Sequence, residues 1–186
     1  RCWGRSPFLG LETNDDVGDD EPPSEARLLN TGWVAAQISS IREHACAVST
    51  VGDVYCWGDA GDLQTAVPLE LTAATDITAG RRFYCALTPA GEVICWGLNN
   101  RGQRNLPMGM PPIVQISSAI DHTCAVDEDG GVWCWGYNFE GQASVPAGLP
   151  PVREVQTGST HTCALTVAGA TVCWGSFAQG HTVLLH

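Results

Sequence analysis

Lysine is absent from this chain. All nine basic residues are arginine, against 20 acidic residues, and the formal net charge is -11. A nucleic-acid binder needs a positive footprint to displace counterions, so that class is excluded. Steered partners should be basic or neutral. Long apolar runs are missing as well. Nothing approaches the roughly 18 consecutive apolar residues of a spanning helix. Helical periodicity is lacking throughout, which predicts almost no helix. There is no GxSxG, no phosphate loop and no HExxH, so catalysis has no motif behind it. No leader precedes the opening "RCWG". A mature exported chain would have lost one, so this says little about export. At 44% hydrophobic residues, the chain is not a disordered tail either.

What is present is a repeat. Four segments stack: "EHACAVSTVGDVYCWG", "FYCALTPAGEVICWG", "DHTCAVDEDGGVWCWG" and "THTCALTVAGATVCWG". Their first cysteines are Cys46, Cys85, Cys124 and Cys163, and their second are Cys56, Cys95, Cys134 and Cys173. Each pair is 10 residues apart and each unit follows the last by 39. A fixed period of this length marks a repeat architecture. A further "CWG" begins at Cys2. The interval from there to Cys56 exceeds one period by 15 residues, within "LETNDDVGDDEPPSEA".

Each unit holds three short apolar runs bounded by Gly and Pro, which predicts three strands. The midpoint of Cys124 and Cys134 is Asp129, so a loop Glu128-Asp129-Gly130 sets the thiols opposite each other. Such loops want a left-handed third residue, and Gly52, Gly91, Gly130 and Gly169 supply it. The spacing therefore predicts disulfides Cys46–Cys56, Cys85–Cys95, Cys124–Cys134 and Cys163–Cys173, at non-hydrogen-bonded positions. Zinc, the rival reading, uses close C-x-x-C steps, which this chain lacks. Regular disulfides point to an oxidising compartment. In this register Ala125 shares a face with Trp135 and Trp133. The tryptophan should lie over its own alanine or fill a gap between units. Strands apolar on both faces imply small stacked sheets, the blades of a β-propeller or less readily the rungs of a solenoid.

"HTCAVDEDGGVWCWGYNFEGQ" resembles the repeat of the regulator of chromosome condensation family, with its His-x-x-Ala-Leu, Gly, Trp-Gly-x-Asn and Gly-Gln pattern. The 39-residue period resembles the shorter, cysteine-rich bacterial variety, similar to the secreted inhibitor of β-lactamases. The resemblance implies an all-β, seven-bladed propeller. Seven such units need more residues than the chain has, so it is expected to be an incomplete part of a longer propeller. The expected organisation is a single repeat domain, 1–186. A partial blade lies at 1–30 with the acidic insertion at 11–26. Blades follow at about 31–69, 70–108, 109–147 and 148–186. An open arc exposes two apolar faces, for missing blades or another chain to cover.

His44, His122 and His161 recur two residues before the first cysteine, where Phe83 stands in the second unit. The phenylalanine breaks any metal ring, so each imidazole is expected to hold the backbone of its own blade. Gln64, Gln103 and Gln142 follow the "WG" loops and should bond loop backbone between blades. The insertion offers Asp15, Asp16, Asp19 and Asp20 as calcium-type oxygen ligands. Val17 interrupts them and no helices flank them, so a solvated loop competes with a calcium site and with a docking point for a basic partner. The "WG" loops vary most between units and carry the candidates for partner binding: Phe8, Arg101, Arg104, Tyr137, Phe139 and Phe177. The expected function is that of a non-enzymatic bacterial module, secreted, periplasmic or on the cell surface. It would bind another protein through these loops, as an accessory subunit of a larger assembly. Two alternatives stand beside it, an inhibitor of a secreted enzyme and a propeller enzyme using its axial cleft. Nucleotide exchange and chromatin binding, which the family resemblance also brings, fit an acidic disulfide-rich chain poorly.

Overall fold

The computed structural model describes residues 32–176. These form twelve strands in four three-stranded antiparallel sheets, each made of consecutive strands. Blade 1 holds β1 (Ala35–Ile41), β2 (His44–Ser49) and β3 (Val54–Gly58). Blade 2 holds β4 (Asp76–Gly80), β5 (Phe83–Leu87) and β6 (Val93–Gly97). Blade 3 holds β7 (Ile113–Ala119), β8 (His122–Asp127) and β9 (Val132–Gly136). Blade 4 holds β10 (Val152–Thr157), β11 (His161–Thr166) and β12 (Thr171–Gly175).

The hairpin between the second and third strands follows from its glycine. In blade 3, Asp127 N donates to Gly131 O, and Gly130 N donates back to Asp127 O. This encloses Glu128-Asp129-Gly130, with Gly130 left-handed at φ 80. Gly52, Gly91 and Gly169 take the same region in their hairpins. The turn aligns Cys124 with Cys134, as Cys46, Cys85 and Cys163 align with their partners. All four pairs are bonded, with Cα separations of 4.0–4.1 Å. That is the close spacing of a non-hydrogen-bonded pair.

The core lies between blades. The leading face of each blade presents its Trp, its Ala and a β-branched residue of its first strand. The trailing face presents the disulfide and aliphatic side chains. Trp135, Ala125 and Ile116 of blade 3 thus pack with Phe83, Cys85, Leu87 and Val93 of blade 2. Trp96 of blade 2 and Trp174 of blade 4 repeat the arrangement against Cys46 and Cys124. The tryptophan therefore both covers its own alanine and wedges between units. Contacts between neighbouring blades run chiefly through their first strands, so the sheets fan out from a common side.

A polar ladder zips those first strands together. Gln37 Oε1 accepts from Ile77 N, Ser39 Oγ from Ala79 N, Thr78 Oγ1 from Ser118 N, and Gln115 Oε1 from Val155 N. Each bond spans 40 residues. Each satisfies a strand-edge donor that an isolated blade would leave open.

Both ends of the arc lie open among the described residues. Ile38 of blade 1 is 57% exposed, whereas its counterpart Ile77 is 2% exposed. Cys163 of blade 4 is half-buried, whereas Cys46, Cys85 and Cys124 are fully buried.

Candidate partner-binding rim

Two kinds of segment meet at one end of every blade: the turn between its first two strands and the loop after its third. A backbone bond ties them. Asp59 N, Leu98 N, Tyr137 N and Ser176 N each donate to the turn carbonyl of Glu43, Arg82, Asp121 and Thr160, all at 2.8 Å. This closeness explains the glycine of "CWG". A Cβ at Gly58, Gly97, Gly136 or Gly175 would sit 2.3–2.5 Å from that same carbonyl oxygen, and all four residues have positive φ.

Beyond the glycine, each loop is clamped by its own glutamine. Gln64 Oε1 accepts from Asp62 N, Gln103 Oε1 from Arg101 N, and Gln142 Oε1 from Glu140 N. The link between blades comes from the glutamine carbonyl. Gln64 O, Gln103 O and Gln142 O accept Nε1 of Trp96, Trp135 and Trp174, one unit further on, at 2.8–3.0 Å. One residue thus fixes its loop with its side chain and anchors the next blade's wedge with its backbone. Nothing in the sequence marked this pairing beyond the recurrence of both residues.

His44 and His122 also reach forward, contrary to the expectation that each imidazole holds its own blade. His44 Nδ1 bonds the hydroxyl of Tyr84, and its Nε2 bonds the carbonyl of Arg81, both in blade 2. His122 Nε2 bonds Thr162 Oγ1 in blade 4. The ring sits on the trailing face, so the following blade offers the nearest partners. Burial, reinforced by nearby His161 and opposed by Asp121, lowers the pKa of His122 to about 4. Burial also pushes the Tyr84 hydroxyl well above its ordinary value. Among the described residues no group of three His, Cys, Asp or Glu side chains could hold a metal ion. The candidate calcium ligands Asp15, Asp16, Asp19 and Asp20 lie outside the described residues, as do Phe8 and Phe177.

Of the remaining candidates, the structure brings three together. The Arg101 guanidinium lies over the Tyr137 ring, 5.0 Å from its centroid. Tyr137 stacks with Phe139 at 6.4 Å and 15°. Phe139 is 81% exposed. Arg104 turns back to its own loop, where its Nη1 donates to Gly97 O at 3.2 Å. Beside this stack, a cavity of about 400 Å³ opens between blades 1 and 2. Its charged walls are Arg42, Glu43, Asp59, Arg81 and Arg82. Only the juxtaposition of two blades creates it, so no single stretch of sequence announces it.

The fold is that of β-propeller blades. Prp20p of Saccharomyces cerevisiae superposes with TM-score 0.67 at 18% identity, over 77% of this chain and 45% of that one. The ectodomain of the receptor kinase CR4 from Physcomitrella patens superposes with TM-score 0.65 at 25% identity, over 78% and 42%. Human WBSCR16 superposes with TM-score 0.66 at 22% identity, over 76% and 47%. The chain thus spans less than half the length of each of these proteins. No curated protein sequence matches it. Residues 74–103 and 113–142 match the model of the regulator of chromosome condensation (RCC1) repeat. Its four disulfides suit an oxidising, extracellular environment. No helix among the described residues is long and apolar enough to cross a membrane.

Proposed function

We propose that this chain is an exported, non-enzymatic repeat module that binds another protein through its turn rim, as an accessory subunit of a surface or periplasmic assembly. On this reading residues 1–186 form one repeat domain, and the rim stays rigid because each loop is clamped at its glutamine. The observation that carries it is the Arg101–Tyr137–Phe139 stack. Its counterparts one unit earlier are Asp62, Leu98 and Asn100. The scaffold therefore accepts other residues at these places, and an 81% exposed Phe139 contributes little to folding. Aromatic and arginine side chains on a rigid frame are typical anchors of protein interfaces. Relatives in fold support a binding role. Prp20p is described by its binding to Gsp1p and histones, and CR4 carries its blades on an ectodomain.

The test is co-purification from the source organism with wild-type chain and with a Tyr137→Ala/Phe139→Ala double variant. The reading predicts a polypeptide retained by the first and lost from the second, with unchanged circular dichroism. Equal retention by both would refute it.

A further inference from the structure

We infer that the cavity between blades 1 and 2 receives carboxylate side chains from an acidic segment of the partner. The inference rests on the rim being the binding surface and names the chemistry recognised there. Six arginines fall in the described residues. Five of them, Arg42, Arg81, Arg82, Arg101 and Arg104, lie on the turn rim, while Arg153 stands near the start of β10. The hairpin rim at the other end of the blades carries Asp53, Glu92, Asp127, Glu128 and Asp129. Three of the five rim arginines line this one cavity. The net charge of -11 favours basic or neutral partners over the surface as a whole, but in a chain without lysine this rim is where cationic side chains concentrate.

Three of the four carboxylates nearby are already engaged, while the fourth, Glu43, stands exposed beside Arg42. Asp59 accepts from Gly61 N and from Gln64 Nε2. Asp121 pairs with Arg81 Nη2 at 2.8 Å and also accepts from Gln103. Asp62 pairs with Arg82 Nε. Arg42 is exposed and bonded to no described residue. Arg81 Nε is a buried donor with no acceptor among the described residues. A guanidinium fork matches a carboxylate with two parallel hydrogen bonds. Repeat equivalence shows that the fold does not need these groups. The turns that carry Arg42-Glu43 and Arg81-Arg82 in blades 1 and 2 carry Ile120-Asp121 and Ser159-Thr160 in blades 3 and 4. Arg42 also holds a left-handed backbone, φ 56, in its turn.

The probe is a fluorescein-labelled hexaglutamate peptide, read by anisotropy on the full chain, with a Gly-Ser peptide and hexalysine as controls. Hexaglutamate should bind about tenfold more tightly than either control and weaken steeply with salt. Arg42→Glu should weaken it by about tenfold. Arg82→Ala should weaken it less. Arg153→Glu should leave it within about twofold, since that side chain is away from the cavity. Inorganic phosphate, which fits the same forks, should compete only weakly. Binding no tighter than the Gly-Ser control, or equal loss in Arg42→Glu and Arg153→Glu, would overturn the inference. So would phosphate binding without hexaglutamate binding. The two readings fail separately. A partner lost from Tyr137→Ala/Phe139→Ala but kept by Arg42→Glu leaves the rim as the binding surface and removes the acidic segment.

Discussion

Move one unit along the chain at the tryptophan wedge between blades and the residue stays; do the same on the turn rim and it changes. Trp96, Trp135 and Trp174 wedge between blades, each over Ala86, Ala125 or Ala164, and each anchored to a glutamine carbonyl. At the rim, Leu98 gives way to Tyr137 and then Ser176, and Arg81 to Ile120 and then Ser159. The interface is one solution used three times, because every blade must bury the same two faces. The rim is under no such demand, so its side chains are available for recognition.

The sharpest way to break this comparison is at a wedge. Trp135→Ala should cost about 3–5 kcal/mol, the usual penalty for deleting a buried large aromatic, and leave Gln103 O a partner short. Chemical denaturation would show it. The equivalent rim truncation, Phe139→Ala, should then change stability by less than about 0.5 kcal/mol.

Acid offers the next largest effect. His122 is buried at the interface of blades 3 and 4 with its folded pKa at about 4, below its ordinary 6.5. The unfolded chain therefore binds the proton more readily. Stability from this group is complete above about pH 6.5 and is lost as pH falls toward 4, up to about 3 kcal/mol. Melting curves between pH 7 and 4.5 should show the loss. Blade 2 solves the same position with Phe83, whose ring occupies the space that a Cβ on Gly80 would need. An Ala119→Gly/His122→Phe variant copies that solution and should flatten the pH dependence.

A smaller effect comes from the staples. Replacing Cys124 and Cys134 with alanine should cost about 2 kcal/mol, since a short hairpin loses little entropy when cross-linked. Wild type should therefore melt lower under reductant. Rim peptide binding below the melting transition should persist, because the loops are clamped by Gln103 and Gln142 rather than by sulfur.

Much of the frame was legible. Cysteines placed symmetrically about a three-residue loop that ends in a left-handed glycine fix a hairpin register, and four copies fix the architecture. Direction was not legible. A period of 39 tells that His44 or Trp135 meets something one unit away, but both neighbours lie at that distance. The imidazoles were expected to hold their own blades, yet His44 and His122 bond the next one. The polar ladder was visible only as Gln37, Ser39, Thr78 and Gln115 recurring in apolar strands. Among the rim candidates, sequence pointed to Arg101, Tyr137 and Phe139 one by one. Their stacking, and the cavity walled by Arg42, Arg81 and Arg82, depend on two blades meeting.

The most direct test of the division between frame and rim is site-specific photo-crosslinking in the native environment. A benzophenone residue at position 139 on the turn rim is compared with one at position 128 on the hairpin rim, both exposed. The account predicts a cross-linked polypeptide from position 139 and none from position 128. Cross-linking confined to position 128 would contradict it.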